Sequence, residues 1–88
     1  MTVRKFEVLN ELGLHARVAS RIVREVRKFE SSVTVKKEER SFDLKNVTGV
    51  ITSGGKRGDI LTIEFDGPDE EEAAAAMEAL FLNKFGEK

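Results

Sequence analysis

The order of elements legible in the sequence, β-α-β-β-α-β-α, predicts an α+β fold with helices packed on one face of an antiparallel sheet. Three observations carry this expectation. Short stretches that alternate apolar and polar residues recur near both ends and in the middle of the chain. Two segments switch to the helical period. The connections between them are short, without repeat or linker, so the 88 residues are expected to form one domain spanning 1–88.

Residues 4–8 alternate after Lys5 and read as a strand with Phe6 and Val8 facing inward. Residues 9–14, with Gly13, form a loop. From Ala16 the apolar positions Ala19, Ile22, Val23, Val26 and Phe29 follow a helical stripe. The opposite face carries Arg17, Arg21, Arg24 and Lys28, with Arg27 at its edge. Val33 and Val35, then Phe42 and Leu44, predict a hairpin across residues 37–40, although the connection lacks Asn-Gly or Asp-Gly. Asn46 is placed to open a single helical turn over Val47, Thr48 and Ile51. Residues 53–58 hold three glycines and read as a loop, and Leu61, Ile63 and Phe65 mark a strand. The last helix opens after Pro68, with Asp69 as N-cap and Glu72 completing a capping-box variant. Its inner face is Ala73, Met77, Leu80 and Phe81, and Gly86 is expected to stop it.

Composition narrows the chemistry. The absence of cysteine excludes thiolate metal sites, Fe–S clusters, redox dithiols and a disulfide scaffold. His15 is the sole histidine, which makes a weak case for a metal site, and phosphoryl transfer through a histidine would need no bound cofactor, since positioning and electrostatics suffice. Gly49 and Gly54 have P-loop spacing, but Gly55 stands where that motif needs lysine. No apolar stretch approaches a membrane span and residues 1–8 lack the apolar run of a signal peptide, so the expected location is the cytoplasm with no membrane insertion. Net charge is −1, unevenly spread: residues 1–30 carry +3, residues 31–68 none and residues 69–88 carry −4. A near-neutral chain of pI 5.9 argues against a nucleic-acid binder. An RNA-binding sheet would also need exposed aromatics, whereas Phe6, Phe42 and Phe65 sit at core positions. The basic first third suits an acidic partner surface or a merely solvated helix face.

Leu12-Gly13-Leu14-His15-Ala16-Arg17 remains. A glycine loop brings one histidine to the start of an amphipathic helix, where the first N–H groups lack intrahelical acceptors and carry partial positive charge. Such a terminus binds anions, phosphate especially, and disfavours a charged imidazole. Arg17 adds a charge-assisted donor for the same anion. The combination points to reversible phosphorylation of the imidazole. The alternative is that His15 only caps the helix and Arg17 opens a solvated stripe; residue types alone leave both open.

The segment Leu14-His15-Ala16-Arg17, its distance from the N-terminus and the later Lys45-Asn46-Val47-Thr48-Gly49-Val50-Ile51 resemble the HPr family, the histidine-containing phosphocarriers of the bacterial phosphoenolpyruvate-dependent sugar phosphotransferase system. The resemblance covers the whole chain. It implies an open-faced β-sandwich, a four-stranded antiparallel sheet with three helices. It implies that His15 accepts phosphate on Nδ1 from phosphorylated enzyme I and passes it to an enzyme IIA, with Arg17 steadying the phosphate. The implied docking surface comprises Ala16, Ser20, Arg21, Arg24, Arg27, Val47, Thr48 and Ile51. A monomeric carrier, without turnover on a small molecule, is implied; a regulatory module of a nitrogen-type branch is the second reading.

Two positions depart from the family pattern. Val18 stands where proline usually follows the Ala-Arg pair, and Val18→Pro is expected to stabilise the fold by roughly 0.4–1 kcal/mol. Asn46 occupies the regulatory serine position of many Gram-positive members, so a serine kinase acting there finds no hydroxyl.

Overall fold

A computed structural model describes residues 1–87. The strands are β1 (Thr2–Glu7), β2 (Ser32–Lys37), β3 (Arg40–Asp43) and β4 (Ile60–Asp66); the helices are α1 (Ala16–Val26), α2 (Val47–Ser53) and α3 (Glu70–Leu82), followed by a single 3₁₀ turn, Lys84–Gly86. The sheet order is β1-β4-β2-β3, with every neighbouring pair antiparallel. Register places Phe6 opposite Leu61, Val33 opposite Phe65 and Val35 between Ile63 and Phe42. These residues face the helices, while Val3, Lys5, Ile60 and Ser41 lie on exposed positions of the open face. This is the α+β fold, with helices on one face of an antiparallel sheet, that the element order predicts, and the open-faced sandwich that the resemblance implies.

The core is built where strand and helix periods meet. Phe6 stacks on Phe81 with ring centroids 5.1 Å apart, and Phe85 meets Phe81 edge-on at 4.9 Å. Val18, Ile22 and Val26 of α1 and Met77 of α3 fill the space above Val33, Val35 and Ile63. Val18 therefore belongs to the inner stripe of α1, one residue earlier than the periodicity placed its start. Helix α2 lies against α1 and β3. Gly49 permits that approach, since a Cβ there would run into the Asp43 carbonyl oxygen.

Several boundaries differ from expectation, each for a local reason. Strand β1 begins at Thr2 because the whole of 2–7 finds partners on β4. Val8 lies past its end, yet stays buried, its amide bonded to Asp59 O at 2.9 Å and its carbonyl to Gly58 N at 2.8 Å. Helix α1 stops at Val26, short of Phe29, because competing partners take the backbone beyond it: Lys45 Nζ donates to Phe29 O at 2.8 Å and Asp69 accepts from the amides of Glu30 and Ser31 at 2.9 Å. The turn at Asn46 continues into the full seven-residue α2, so the following loop starts at Gly54. Helix α3 ends at Leu82 rather than at Gly86, because Lys84 and Phe85 take positive φ and swing the Phe85 ring into the core.

The capping box expected at α3 does not form. The Asp69 side chain makes no cap bond; it turns away to accept from Glu30 N, Ser31 N and Ser31 Oγ. Glu70 instead reaches back to Gly67 N and takes the Thr2 hydroxyl and the N-terminal amine. Asp69 thus ties the segment between α1 and β2 to the start of α3.

The Ser31 hydroxyl and the Glu30 amide hold the Asp69 carboxyl below its usual range. A depressed native value contributes stability that is present above the ordinary carboxylate range and lost as pH falls through the native value. Asp69→Asn is expected to lower the melting temperature at neutral pH and flatten its decline with acid; acid titrations of Tm for both proteins check this. The two-residue hairpin turn puts Glu38 at φ 58°, the positive φ that such a tight connection needs, without the glycine that adopts it freely. Glu38→Gly is expected to stabilise the protein by roughly 0.5–1 kcal/mol, read from urea midpoints.

Candidate functional site

The loop between β1 and α1 is built to fix one point. Asn10, fully buried, donates through Nδ2 to Gly13 O at 2.8 Å and accepts the Gly13 amide on its own carbonyl. Gly13 takes φ 65°, and a Cβ on it would come 2.5 Å from Gly55 O. Leu14 N then donates to that same oxygen at 3.0 Å, and the Leu14 side chain packs over Gly55. With the chain pinned on both sides of the β4 approach, the next residue, His15, is the N-cap of α1.

His15 holds extended backbone angles, and its carbonyl accepts the first helical bond from Ala19 N at 2.8 Å. Its side chain makes no cap bond, so the ring is not spent on closing the helix. The first-turn amides of Ala16, Arg17 and Val18 precede that bond and have no acceptor within the helix. Imidazole Nε2 is enclosed, lacks a hydrogen-bond partner among the described residues, and lies 3.8 Å from Glu87 Oε1. The Val18 side chain is buried, so a proline there also gives up core packing; that offsets the stabilisation expected from its preset φ.

Arg17 projects into solvent, 70% exposed, and grips Glu87 along one edge of its guanidinium: Nε to Oε2 at 2.9 Å and Nη2 to Oε1 at 2.6 Å. Arg17 holds the Glu87 carboxyl below the usual carboxylate range, and the same bond pushes the guanidinium up. A basin of about 400 Å³ opens between Asn10, Leu12, His15, Arg17 and Glu87. Sequence reasoning found His15 and Arg17 and missed the others. Asn10 gives only the weak signal of an amide beside a glycine turn. Glu87 gives none, because a tail residue belongs to no periodic pattern.

The residues expected to form a docking surface sit on two helices that pack side by side. Ala16, Ser20, Arg21 and Arg24 are exposed on α1, and Arg27 reaches across to Lys45 O at 3.0 Å. Val47, Thr48 and Ile51 are exposed on α2, with Val47 and Ile51 a turn apart. Asn46 sets this helix by accepting Thr48 N on its side chain at 2.8 Å, as the sequence predicts. Among the described residues no group of three or more His, Cys, Asp or Glu could hold a metal ion, and no helix is long and apolar enough to cross a membrane.

Because Gly13 combines positive φ with close approach to Gly55 O, Gly13→Ala has both strain and a clash to relieve. It is expected to destabilise the protein by about 1–2 kcal/mol or more, measured by denaturant unfolding, with the largest amide shifts confined to 10–17 and 54–56.

Comparison with known proteins agrees with this geometry. The family model described as "PTS HPr component phosphorylation site" matches residues 2–83. The phosphocarrier protein HPr of Cupriavidus necator is 39% identical over 87 residues, covering 99% of this chain and 98% of that protein. HPr of Treponema pallidum is 36% identical over 88 residues, covering 100% of both. A crystal structure of HPr from Thermoanaerobacter tengcongensis superposes with a TM-score of 0.93 at 35% identity, covering 100% of this chain and 99% of that one. The chain belongs to the HPr family of phosphocarrier proteins.

Proposed function

We propose that this chain carries a phosphoryl group on His15 Nδ1, accepting it from phosphorylated enzyme I and passing it to an enzyme IIA in phosphoenolpyruvate-dependent sugar uptake. The observation that carries this reading is the placement of an uncapped imidazole at the N-terminus of α1, with Nε2 enclosed and Arg17 two residues on. A carboxylate facing Nε2 favours the ring proton there and leaves the Nδ1 lone pair as the nucleophile. That pair forms the new N–P bond while the donor's P–N bond breaks and its electrons stay on the donor nitrogen; Nε2 keeps its proton throughout. The first-turn amides and Arg17 supply donors for the phosphoryl oxygens, so positioning and electrostatics suffice, and the carrier itself needs no metal or cofactor.

The acidic partner surface would meet the exposed basic face of α1, with Ala16, Ser20, Arg21, Arg24 and Arg27, around the apolar centre made by Val47, Thr48 and Ile51. Enzyme I and enzyme IIA would use this one surface in turn, meeting a monomeric carrier in the cytoplasm. The amide at Asn46 keeps the α2 cap while offering no hydroxyl to a serine kinase.

Incubation with enzyme I and labelled phosphoenolpyruvate is expected to label the protein with an acid-labile, alkali-stable phosphate that disappears in His15→Ala. Label that survives acid or persists in that variant contradicts the proposal. Arg24→Glu is expected to slow acceptance from enzyme I about tenfold at low salt and far less at high salt, because steering between opposite charges is screened. Stopped-flow or quench measurements at two ionic strengths check this, and equal rates for variant and parent at both contradict it.

A further inference from the structure

The sheet ends in two edge strands of different build. Strand β3 has four residues and lies against α2. Strand β1 has six, all paired with β4 on one side, and no strand among the described residues lies on its other side. A strand of that length with a free row of N–H and C=O groups is a template for another strand, and a chain that stays single needs a device at such an edge.

The direction of the free row follows from the end of β1. Val8 N donates to Asp59 O and Val8 O accepts from Gly58 N, so the Val8 backbone points toward β4. The alternation of a strand then turns Thr2, Arg4 and Phe6 the same way and sends the backbone groups of Val3, Lys5 and Glu7 outward. One of these outward carbonyls is already taken. Arg4 Nη1 donates to Val3 O at 3.0 Å, and Nη2 lies 3.7 Å from Glu71 Oε2 on α3. Arg4 also stands in the row that faces the helices: Thr2 and Phe6, its neighbours in that row, are 5% and 7% exposed, whereas Arg4 is exposed. It sits at a cleft of about 150 Å³ shared with Phe6, Glu71, Ala74, Ala75 and Glu78.

Without that charge the edge is complementary to itself. Antiparallel pairing about a two-fold axis at Phe6 sets Phe6 opposite Phe6 of a second copy, in the kind of pair where side chains approach most closely. On the open face the same register twice sets Lys5 opposite Glu7, an opposite-charge pair. The small side chains of Ala74 and Ala75 leave room beside the edge for those of an added strand. Arg4 alone opposes this register. Its side chain, laid along the edge to reach Val3 O, stands where the second strand must lie, and pairing would set it opposite Val8 and exchange its water for apolar neighbours.

We propose that the outer edge of β1 is a self-pairing surface for a second copy of this chain, and that Arg4 is the residue that keeps it closed. The inference concerns assembly and does not depend on the carrier reading.

The test compares parent, Arg4→Val and Arg4→Lys by analytical ultracentrifugation over a wide concentration range, with amide hydrogen exchange at both ends of that range. Arg4→Val removes the charge and keeps strand propensity. It is expected to pass from the 9.8 kDa monomer to a species of twice that mass, associating about tenfold or more tightly than the parent. The Lys5 and Glu7 amides are expected to gain protection as it does so. Arg4→Lys keeps a charge at the edge and is expected to behave as the parent. Lys5→Glu added to Arg4→Val sets like charges opposite each other and is expected to restore the monomer. If Arg4→Val fails to fold, Arg4→Thr carries the same expectations. A folded variant without the charge that stays monomeric overturns the inference. So does a dimer protected elsewhere than at Lys5 and Glu7, or a parent that already pairs through β1.

Discussion

The site depends on a backbone contact made by glycine at both ends. The Gly55 carbonyl accepts from Leu14 N at 3.0 Å and lies so near Gly13 that no side chain fits between them. This contact joins the loop before α1 to the loop after α2, and it fixes where α1 begins. If it moved by an ångström, the imidazole, the first-turn amides and the guanidinium of Arg17 would lose their common focus, since all three are measured from the same helix start. The buried Asn10 amide and the Leu14 side chain reinforce it from either side. Burial of two loops against each other thus makes a rigid support for a residue that itself remains reachable.

The charge distribution works with that geometry on two scales. At short range, the partial charge of the helix terminus and the guanidinium of Arg17 favour an anion beside a ring that the fold leaves without a cap bond. In the free protein the carboxylate of Glu87 answers that demand. At longer range, α1 carries an exposed basic face while the first turn of α3 is acidic, although the net charge is only −1. In the proposed role, a surface that steers without binding tightly suits a carrier, because electrostatic complementarity raises association rates more than it lengthens residence.

Much of this was legible in the sequence. The periods of 2 and 3.6 located all four strands and two of the helices, the Asn46 cap marked only the first turn of α2, and the Gly13-Leu14-His15 step marked the candidate site. What was not legible shares a physical cause: partners distant in sequence. Asp69 has the spacing of a capping box, yet Ser31 and Glu30 offered its carboxylate three donors and won. Helix α1 has apolar residues through Phe29, yet Lys45 and Asp69 claimed the backbone that would have continued it. Phe85 and Glu87 follow no period at all; a left-handed turn, stabilised only by the core it reaches, sends one inward and the other to Arg17. Val18 reads as a mere departure from a proline, and only packing reveals it as core.

The central claim is that the fold presents His15 Nδ1, rather than Nε2, to an incoming phosphoryl group. The most direct measurement is nuclear magnetic resonance of ¹⁵N-histidine-labelled protein after phosphorylation by enzyme I and phosphoenolpyruvate. With His15 the sole histidine, every imidazole signal reports this site. The account predicts one new ³¹P resonance, coupled to Nδ1, with Nε2 retaining its proton. A phosphate coupled to Nε2, the nitrogen the fold encloses, or one attached outside the imidazole, would contradict it.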